Sequence, residues 1–281
     1  MKKIVLITGT STGLGISIAV KLAQQGHTIY ATMRNTDKKT KLVEAAKTAN
    51  VEINIKQLDV QNTQSIEDCI NSIIAAEDRI DLLINNAGAG MVRTTEHATE
   101  EDINWVMDVN FNGVVRCIKA VLPYMRQSKS GHVINITSVG GLVGQPFNEF
   151  YCAAKFAVEG YTESLATYIT PSFNIKFSNI EPGGISTEFV NNVLAHITKT
   201  GGMIDDEYAP ILEKYITSGT GRTNLYQTPD EVADVVVTCA QNPTPPLRVR
   251  TSQWSEEFSR YKTELDPTGA LQTQSVIDTF I

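Results

Sequence analysis

Cysteine is scarce in this 281-residue chain, and its four residues, Cys69, Cys117, Cys152 and Cys239, lie far apart with no C-x-x-C spacing. That excludes a disulfide framework or a zinc site and fits reduced thiols. His27, His97, His132 and His196 show no ligand spacing either, so no metal is expected. Long apolar runs are missing: nothing approaches the ~18 residues of a membrane span. Met-Lys-Lys leads straight into Ile4-Val5-Leu6-Ile7, too short a run for the centre of a signal peptide, and the expectation is a cytoplasmic protein with no membrane partner. Positive charge is also short. With 24 Lys and Arg against 31 Asp and Glu, the formal net charge is −7, which argues against nucleic acid as a partner. Repeats and low-complexity tracts are absent as well.

What is present is ordinary globular composition, 42% hydrophobic and 20% charged, in a chain long enough for one large core. Short β-branched runs alternate with longer amphipathic segments. Strands are expected near residues 3–8, 28–33, 53–58, 81–85, 132–137, 175–180 and 247–250. Helices are expected near 14–25, 36–48, 63–78, 100–126, 150–170 and 229–241. This alternation predicts parallel βαβ units. Ile80-Asp81-Leu82-Leu83-Ile84 and His132-Val133-Ile134-Asn135-Ile136 have apolar residues on both faces, as strands covered from both sides require. The expected fold is α/β: a Rossmann-type doubly wound parallel seven-stranded sheet with helices on both faces, a three-layer sandwich. Residues 1–250 form the expected single catalytic domain, with a substrate lid at 186–227 and a tail at 251–281 packing on it.

Directly after the first strand comes Thr8-Gly9-Thr10-Ser11-Thr12-Gly13-Leu14-Gly15, which opens a helix. Glycines there allow a tight turn and close backbone approach to a pyrophosphate resting on the helix N-terminus. Gly9, Ser11, Thr12, Gly13, Leu14 and Gly15 are therefore candidate dinucleotide contacts. About 20 residues on, an NAD site places a carboxylate on the ribose. Here the second strand ends in Ala31-Thr32-Met33-Arg34, with no acid. The planar Arg34 fork suits a 2′-phosphate, and Thr12 adds a hydroxyl to the same group. NADP(H) is thus favoured over NAD(H), with Asp37 the nearby carboxylate that favours NAD.

Ser138, Tyr151 and Lys155 form the second constellation. Tyrosine and lysine at i and i+4 share one helix face, and a neighbouring cation favours the ionised phenol. Tyr151 with Lys155 is also what an ordinary amphipathic helix presents. Cys152, with no histidine nearby in sequence, reads as a small buried residue.

With the glycine loop, Asn85-Asn86-Ala87-Gly88, Asn110, Ser138, Tyr151-x-x-x-Lys155 and Pro182-Gly183 in order, the chain resembles the classical short-chain dehydrogenase/reductases. Ser138-Val139-Gly140-Gly141-Leu142-Val143-Gly144-Gln145-Pro146-Phe147-Asn148 and Phe156-Ala157-Val158-Glu159-Gly160 resemble the branch holding 17β-hydroxysteroid dehydrogenase type 1 and a retinol dehydrogenase. Residues 190–227 show no match to that branch's steroid-contacting stretch.

The resemblance implies that Tyr151 is the general acid in carbonyl reduction and the base in alcohol oxidation. Lys155 lowers its pKa and holds the nicotinamide ribose, Ser138 bonds the substrate oxygen, and Asn110 holds a water that relays protons through Lys155. Asp59 and Val60 match adenine-edge contacts. Asn86, Ala87 and Gly88 match the passage beside the adenosine ribose, and Pro182, Gly183, Ile185 and Thr187 match the nicotinamide cradle. Gly113, costly by ~1 kcal/mol against alanine inside a helix, is consistent with an irregularity there. The expected activity is NADP(H)-dependent interconversion of an alcohol and its ketone or aldehyde, with a fairly apolar small-molecule substrate. Leu142, Val143, Phe147, Phe189 and Val193 lie near the expected site. The family also implies a homodimer or homotetramer. The competing reading is a non-catalytic NADP(H) sensor, which has no need of a poised acid.

Overall fold

The computed structural model describes residues 2–202, 204–220, 226–271 and 274. Parts of the expected lid, residues 203 and 221–225, and of the expected tail, residues 272–273 and 275–281, lie outside the described residues. Seven strands form one parallel sheet: β1 (Ile4–Ile7), β2 (Thr28–Met33), β3 (Asn54–Gln57), β4 (Leu82–Asn85), β5 (Gly131–Ile136), β6 (Ile175–Glu181) and β7 (Arg248–Arg250). Their order across the sheet is β3-β2-β1-β4-β5-β6-β7. The order reverses between β1 and β4, which opens a crevice at the carboxyl ends of the strands.

Alternation along each strand feeds two cores. Ile4 and Leu6 face one cluster, built with Ile66, Ile70 and Ile73 of α3 (Thr63–Glu77), Val114, Ile118 and Val121 of α5 (Gly113–Ser128), and Leu165 and Ile169 of α6 (Glu149–Phe173). Val5 and Ile7 face the other, built with Ile18 and Leu22 of α1 (Leu14–Gln24), Leu42 of α2 (Thr40–Thr48), and Val232 and Val236 of α9 (Pro229–Gln241). Helices therefore cover both faces, as a buried parallel sheet requires.

Most helix ends are set locally. Asn62 accepts from Ser65 N at the start of α3, and Thr99 with Asp102 forms a capping box at α4 (Glu100–Met107). Thr228 and Glu231 form another at α9, with Pro229 in the first turn. Each such cap is worth ~1 kcal/mol. Asp78, Lys129 and Asn174 close α3, α5 and α6 in the left-handed conformation.

Two expected helices are subdivided. Residues 36–48 hold a 3₁₀ turn (Thr36–Lys39) before α2. The long helix expected over 100–126 is interrupted by a π-turn at Asp108–Asn112, between α4 and α5. The cause is Asn110, whose Nδ2 donates to the Val106 carbonyl at 2.9 Å and to the Ala89 carbonyl at 2.8 Å. A side chain that takes an i−4 carbonyl displaces the ordinary backbone bond and widens the turn. Gly113 follows at once, because a side chain there would lie 2.9 Å from Val60 Cβ. The lid segment contains α7 (Phe189–Lys199) and α8 (Ala209–Thr220), and the tail contains α10 (Gln253–Thr263), none of which hydrophobic periodicity marked.

Candidate active site

The glycine loop sits between β1 and α1 and is held from two sides. Thr10 N donates to the Thr32 carbonyl at 2.9 Å, tying it to β2. Asn86 Nδ2 reaches back from the end of β4 to the carbonyls of Thr8 and Gly9, at 2.9 and 2.8 Å. Thr8 Oγ1 accepts from the backbone N–H of Asn86 and Ala87. Gly9 has φ +71 and Gly13 φ +57, conformations that disfavour side chains, and a Cβ on Gly15 would lie 2.3 Å from the Gly9 carbonyl oxygen. α3, α4, α9 and α10 all begin with a capping side chain, whereas α1 begins at Gly13 with none. With no side chain capping its start, the N-terminus of α1 fits a pyrophosphate.

Arg34 follows β2 directly and is exposed, and among the described residues its guanidinium makes no ion pair. Asp37 lies in the adjoining 3₁₀ turn, its N–H donating to Asn35 Oδ1. Asp59 and Val60 lie beyond the end of β3 rather than in it. Asp59 Oδ1 accepts from Gln61 N, and the Val60 carbonyl accepts from Arg116. Thr187 packs its side chain against Gly13, so the loop after β6 reaches the glycine loop. Pro182 offers its carbonyl to Val139 N at 3.0 Å, and Ile185 pairs with Gln227.

β5 ends at Ile136, and the chain turns through Ser138, whose Oγ accepts from Gly140 N at 2.9 Å. Tyr151 lies in the first turn of α6, where the nearby Ser138 hydroxyl favours its ionised form. Lys155 Nζ lies 5.7 Å from the Tyr151 ring centre and donates to the Ile136 carbonyl at 3.0 Å. Asn110 Oδ1 accepts from Ala89 N at 3.1 Å. Gly88 lies between Asn110 and Lys155: a Cβ there would be 3.1 Å from Asn110 Oδ1 and 3.6 Å from Lys155 Nζ.

Folding thus brings Asn110, Ser138, Tyr151 and Lys155 around the Asn86–Gly88 turn, one crevice away from Gly13. Neither Asp59 nor Arg34 joins this group. They line the β2–β3 end of the crevice instead.

In the protein alone, burial pushes the Tyr151 phenol up to about 12, and Ser138 pulls it back only in part. The Lys155 ammonium is spent on Ile136, and burial pulls Lys155 itself down to about 8. Cys152 is buried and its thiol is pushed up by burial, as expected of a packing residue. Among the described residues no group of side chains could hold a metal ion, and no helix is long and apolar enough to cross a membrane.

The family model for short chain dehydrogenases matches residues 3–198. This chain belongs to the short-chain dehydrogenase family. Bovine (Bos taurus) retinol dehydrogenase 8 is 38% identical over 278 residues, covering 96% of this chain and 88% of that protein. The 3-ketodihydrosphingosine reductase of Bacteroides thetaiotaomicron is 42% identical over 205 residues, 73% of this chain and 71% of that protein. The F189W actinorhodin polyketide ketoreductase, solved with NADPH, superposes with a TM-score of 0.74 at 25% identity, covering 89% of this chain and 95% of that one. The relatives cluster in the retinol dehydrogenase and 17β-hydroxysteroid dehydrogenase type 1 branch. The short-chain dehydrogenase here is an NAD(P)-dependent oxidoreductase acting on CH–OH groups or the corresponding carbonyls.

Phe189 was expected near the site, whereas Trp254 had no motif to mark it. Phe189 of α7 lies edge-on to Tyr151, ring centres 6.0 Å apart, and Trp254 of α10 packs over Gly183. A row of buried asparagines, Asn85, Asn135 and Asn179, crosses the sheet beneath the site. That row had a readable signal, a polar residue inside otherwise apolar strands.

Proposed function

We propose that the protein interconverts a secondary alcohol and its ketone, or a primary alcohol and its aldehyde, by hydride transfer with NADP(H), using Tyr151 as general acid/base. The observation that carries this reading is Tyr151 close to the Ser138 hydroxyl, with the Lys155 ammonium from the next helical turn 5.7 Å from the Tyr151 ring centre. The nicotinamide would supply the hydride in carbonyl reduction and accept it in alcohol oxidation. Tyr151 donates its phenolic proton to the oxygen of a carbonyl being reduced, or takes the hydroxyl proton when an alcohol is oxidised. Ser138 donates to that same oxygen as charge grows on it. Lys155 binds the ribose hydroxyls, and Asn110 holds the protein side of the route by which Lys155 regains a proton. A phenol at about 12 gives up its proton too rarely to act as a base, so the reading requires the bound cationic ring to lower it.

The cofactor contacts follow from the same crevice. Gly9, Ser11, Thr12, Gly13, Leu14 and Gly15 hold the pyrophosphate, Arg34 the 2′-phosphate, Asp59 and Val60 the adenine, Asn86, Ala87 and Gly88 the ribose, and Pro182, Gly183, Ile185 and Thr187 the nicotinamide. An apolar substrate suits Phe189 above Tyr151, with Val193 beside it at Gly90. It also suits relatives named for retinol and 3-ketodihydrosphingosine. Phe156 and Tyr168 of α6, 41% and 44% exposed, suit a homodimer or homotetramer formed through that helix. The test is NADPH oxidation with a panel of apolar ketones and aldehydes, beside Tyr151→Phe. Turnover lost by at least ~100-fold with NADPH still bound is the expected result. Equal turnover by Tyr151→Phe overturns the role of Tyr151, and no turnover of any carbonyl overturns the activity.

A further inference from the structure

Lys155 and Glu159 sit one turn apart on α6, at i and i+4, and both are buried, 5% and 6% exposed. Neither has an ion-pair partner among the described residues. The other charges around them have ion-pair partners of their own, although Arg248 also acts on the Glu159 carboxyl. Glu181 of β6 pairs with Arg250 of β7 at 3.2 Å, and Arg250 also pairs with Glu256 of α10 at 2.9 Å. Arg248 of β7 pairs with Glu163 of α6, and Asp108 of the π-turn pairs with Arg116. What remains is one buried cation and one buried carboxyl on the same helix face, at a spacing that puts their Cβ atoms ~6 Å apart.

The Glu159 carboxyl is placed by the sheet. Asn85, Asn135 and Asn179 stand in register on β4, β5 and β6. Asn85 donates to Asn135 at 2.8 Å, Asn135 to Asn179 at 3.3 Å, and Asn179 to Glu159 Oε2 at 2.5 Å. Asn135 Nδ2 also donates to Thr162 Oγ1 at 3.0 Å, so it is Asn179, the last of the row, that commits its amide to Glu159, whose Oε1 has no hydrogen-bond partner among the described residues. A buried charge persists only where another charge or a set of donors compensates it.

We propose that Glu159, held by the asparagine row, is the buried counter-charge that keeps Lys155 cationic, and so acts as a positioning residue for the Tyr151–Lys155 pair. Burial and the neighbouring Glu181 push the Glu159 carboxyl up, while burial pulls Lys155 down to about 8 with Glu159 acting in the opposite direction. The proposal rests on the proposed function for its consequence in catalysis, and its first test is independent of catalysis.

That test is a double-mutant cycle on the cofactor-free protein: Lys155→Met, Glu159→Gln and both together, with unfolding by urea. The expected result is a double variant more stable than the sum of the single losses allows, by at least about tenfold in the unfolding equilibrium. A Glu159→Gln protein that fails to fold while the double variant folds has the same meaning. Additive losses, or a double variant no better folded than Glu159→Gln, overturn the proposal whatever the enzyme's substrate. In the active enzyme, Glu159→Gln should move the alkaline limb of kcat/KM to lower pH by about one unit, and Glu159→Asp should restore it. A uniform loss at every pH, not restored by aspartate, marks a merely structural residue and overturns it too.

Discussion

Arg250 Nη1 donates to Glu181 Oε2 at 3.2 Å with both side chains shut off from water, 3% and 0% exposed. The pair closes the β6–β7 edge of the sheet just before the Pro182 turn. Removing one partner of such a pair strands the other charge. Arg250→Ala should destabilise the protein by about 3–5 kcal/mol, read by urea unfolding, whereas Arg250→Met with Glu181→Leu should recover most of that loss.

The backbone around Gly15 leaves no room for a methyl group. Its Cβ would sit 2.3 Å from the Gly9 carbonyl oxygen and 2.7 Å from Asn86 Nδ2, and the first of these is main chain that cannot swing aside. Gly15→Ala should therefore deform the glycine loop and weaken NADPH binding by at least about tenfold, a loss of ~1.4 kcal/mol, measured by fluorescence titration. Wild-type affinity in that variant would mean the pyrophosphate lies elsewhere.

Arg34 stands exposed at the end of β2 with its guanidinium unpaired among the described residues. A charge-assisted bond to a 2′-phosphate is worth ~1.5–3 kcal/mol. Arg34→Ala should raise the Kd for NADPH by about 10–100-fold and leave that for NADH within about twofold. Parallel changes for the two cofactors would remove Arg34 from the 2′-phosphate.

His132 of β5 is buried, with Nε2 3.0 Å from Ser178 Oγ, and Ser178 donates its own proton to the Pro246 carbonyl. Nε2 must then be the donor in a neutral ring. Burial pulls this imidazole down to about 3, so between there and the ordinary value of 6.5 the unfolded chain takes up a proton that the folded one refuses. Stability from this group is complete above about pH 6.5 and falls as pH drops, by up to about 1.4 kcal/mol per pH unit. Melting temperature followed from neutral to acid pH should drop more steeply in the wild type than in His132→Gln.

The strands were legible because apolar runs buried on both faces leave few alternatives. The strand expected at 175–180 is Ile175–Glu181, buried along almost its whole length, whereas that at 53–58, Asn54–Gln57, is exposed at both ends and only half-buried between. The long helix over 149–173 was equally plain. The break at Asp108–Asn112 was only hinted at by Gly113, because its cause is a contact from Asn110 to Ala89, a loop 21 residues away. The lid helices were missed for a related reason. α7 is held by Arg93, which donates to the carbonyls of Thr200 and Gly202, and by Trp105 stacked on His196, so its stability comes from partners distant in sequence.

By itself, then, the sequence determined the order of strands and helices, the glycine loop at the first turn, and the types and spacing of Ser138, Tyr151 and Lys155. All of these are set by local periodicity and by which residues tolerate a tight turn. Only the tertiary structure decided that Lys155 would spend its ammonium on Ile136, that burial would push Tyr151 up, and that Glu159 would stand at the end of an asparagine row. Those outcomes depend on burial and on register between strands some fifty residues apart, and both exist only once the chain has folded.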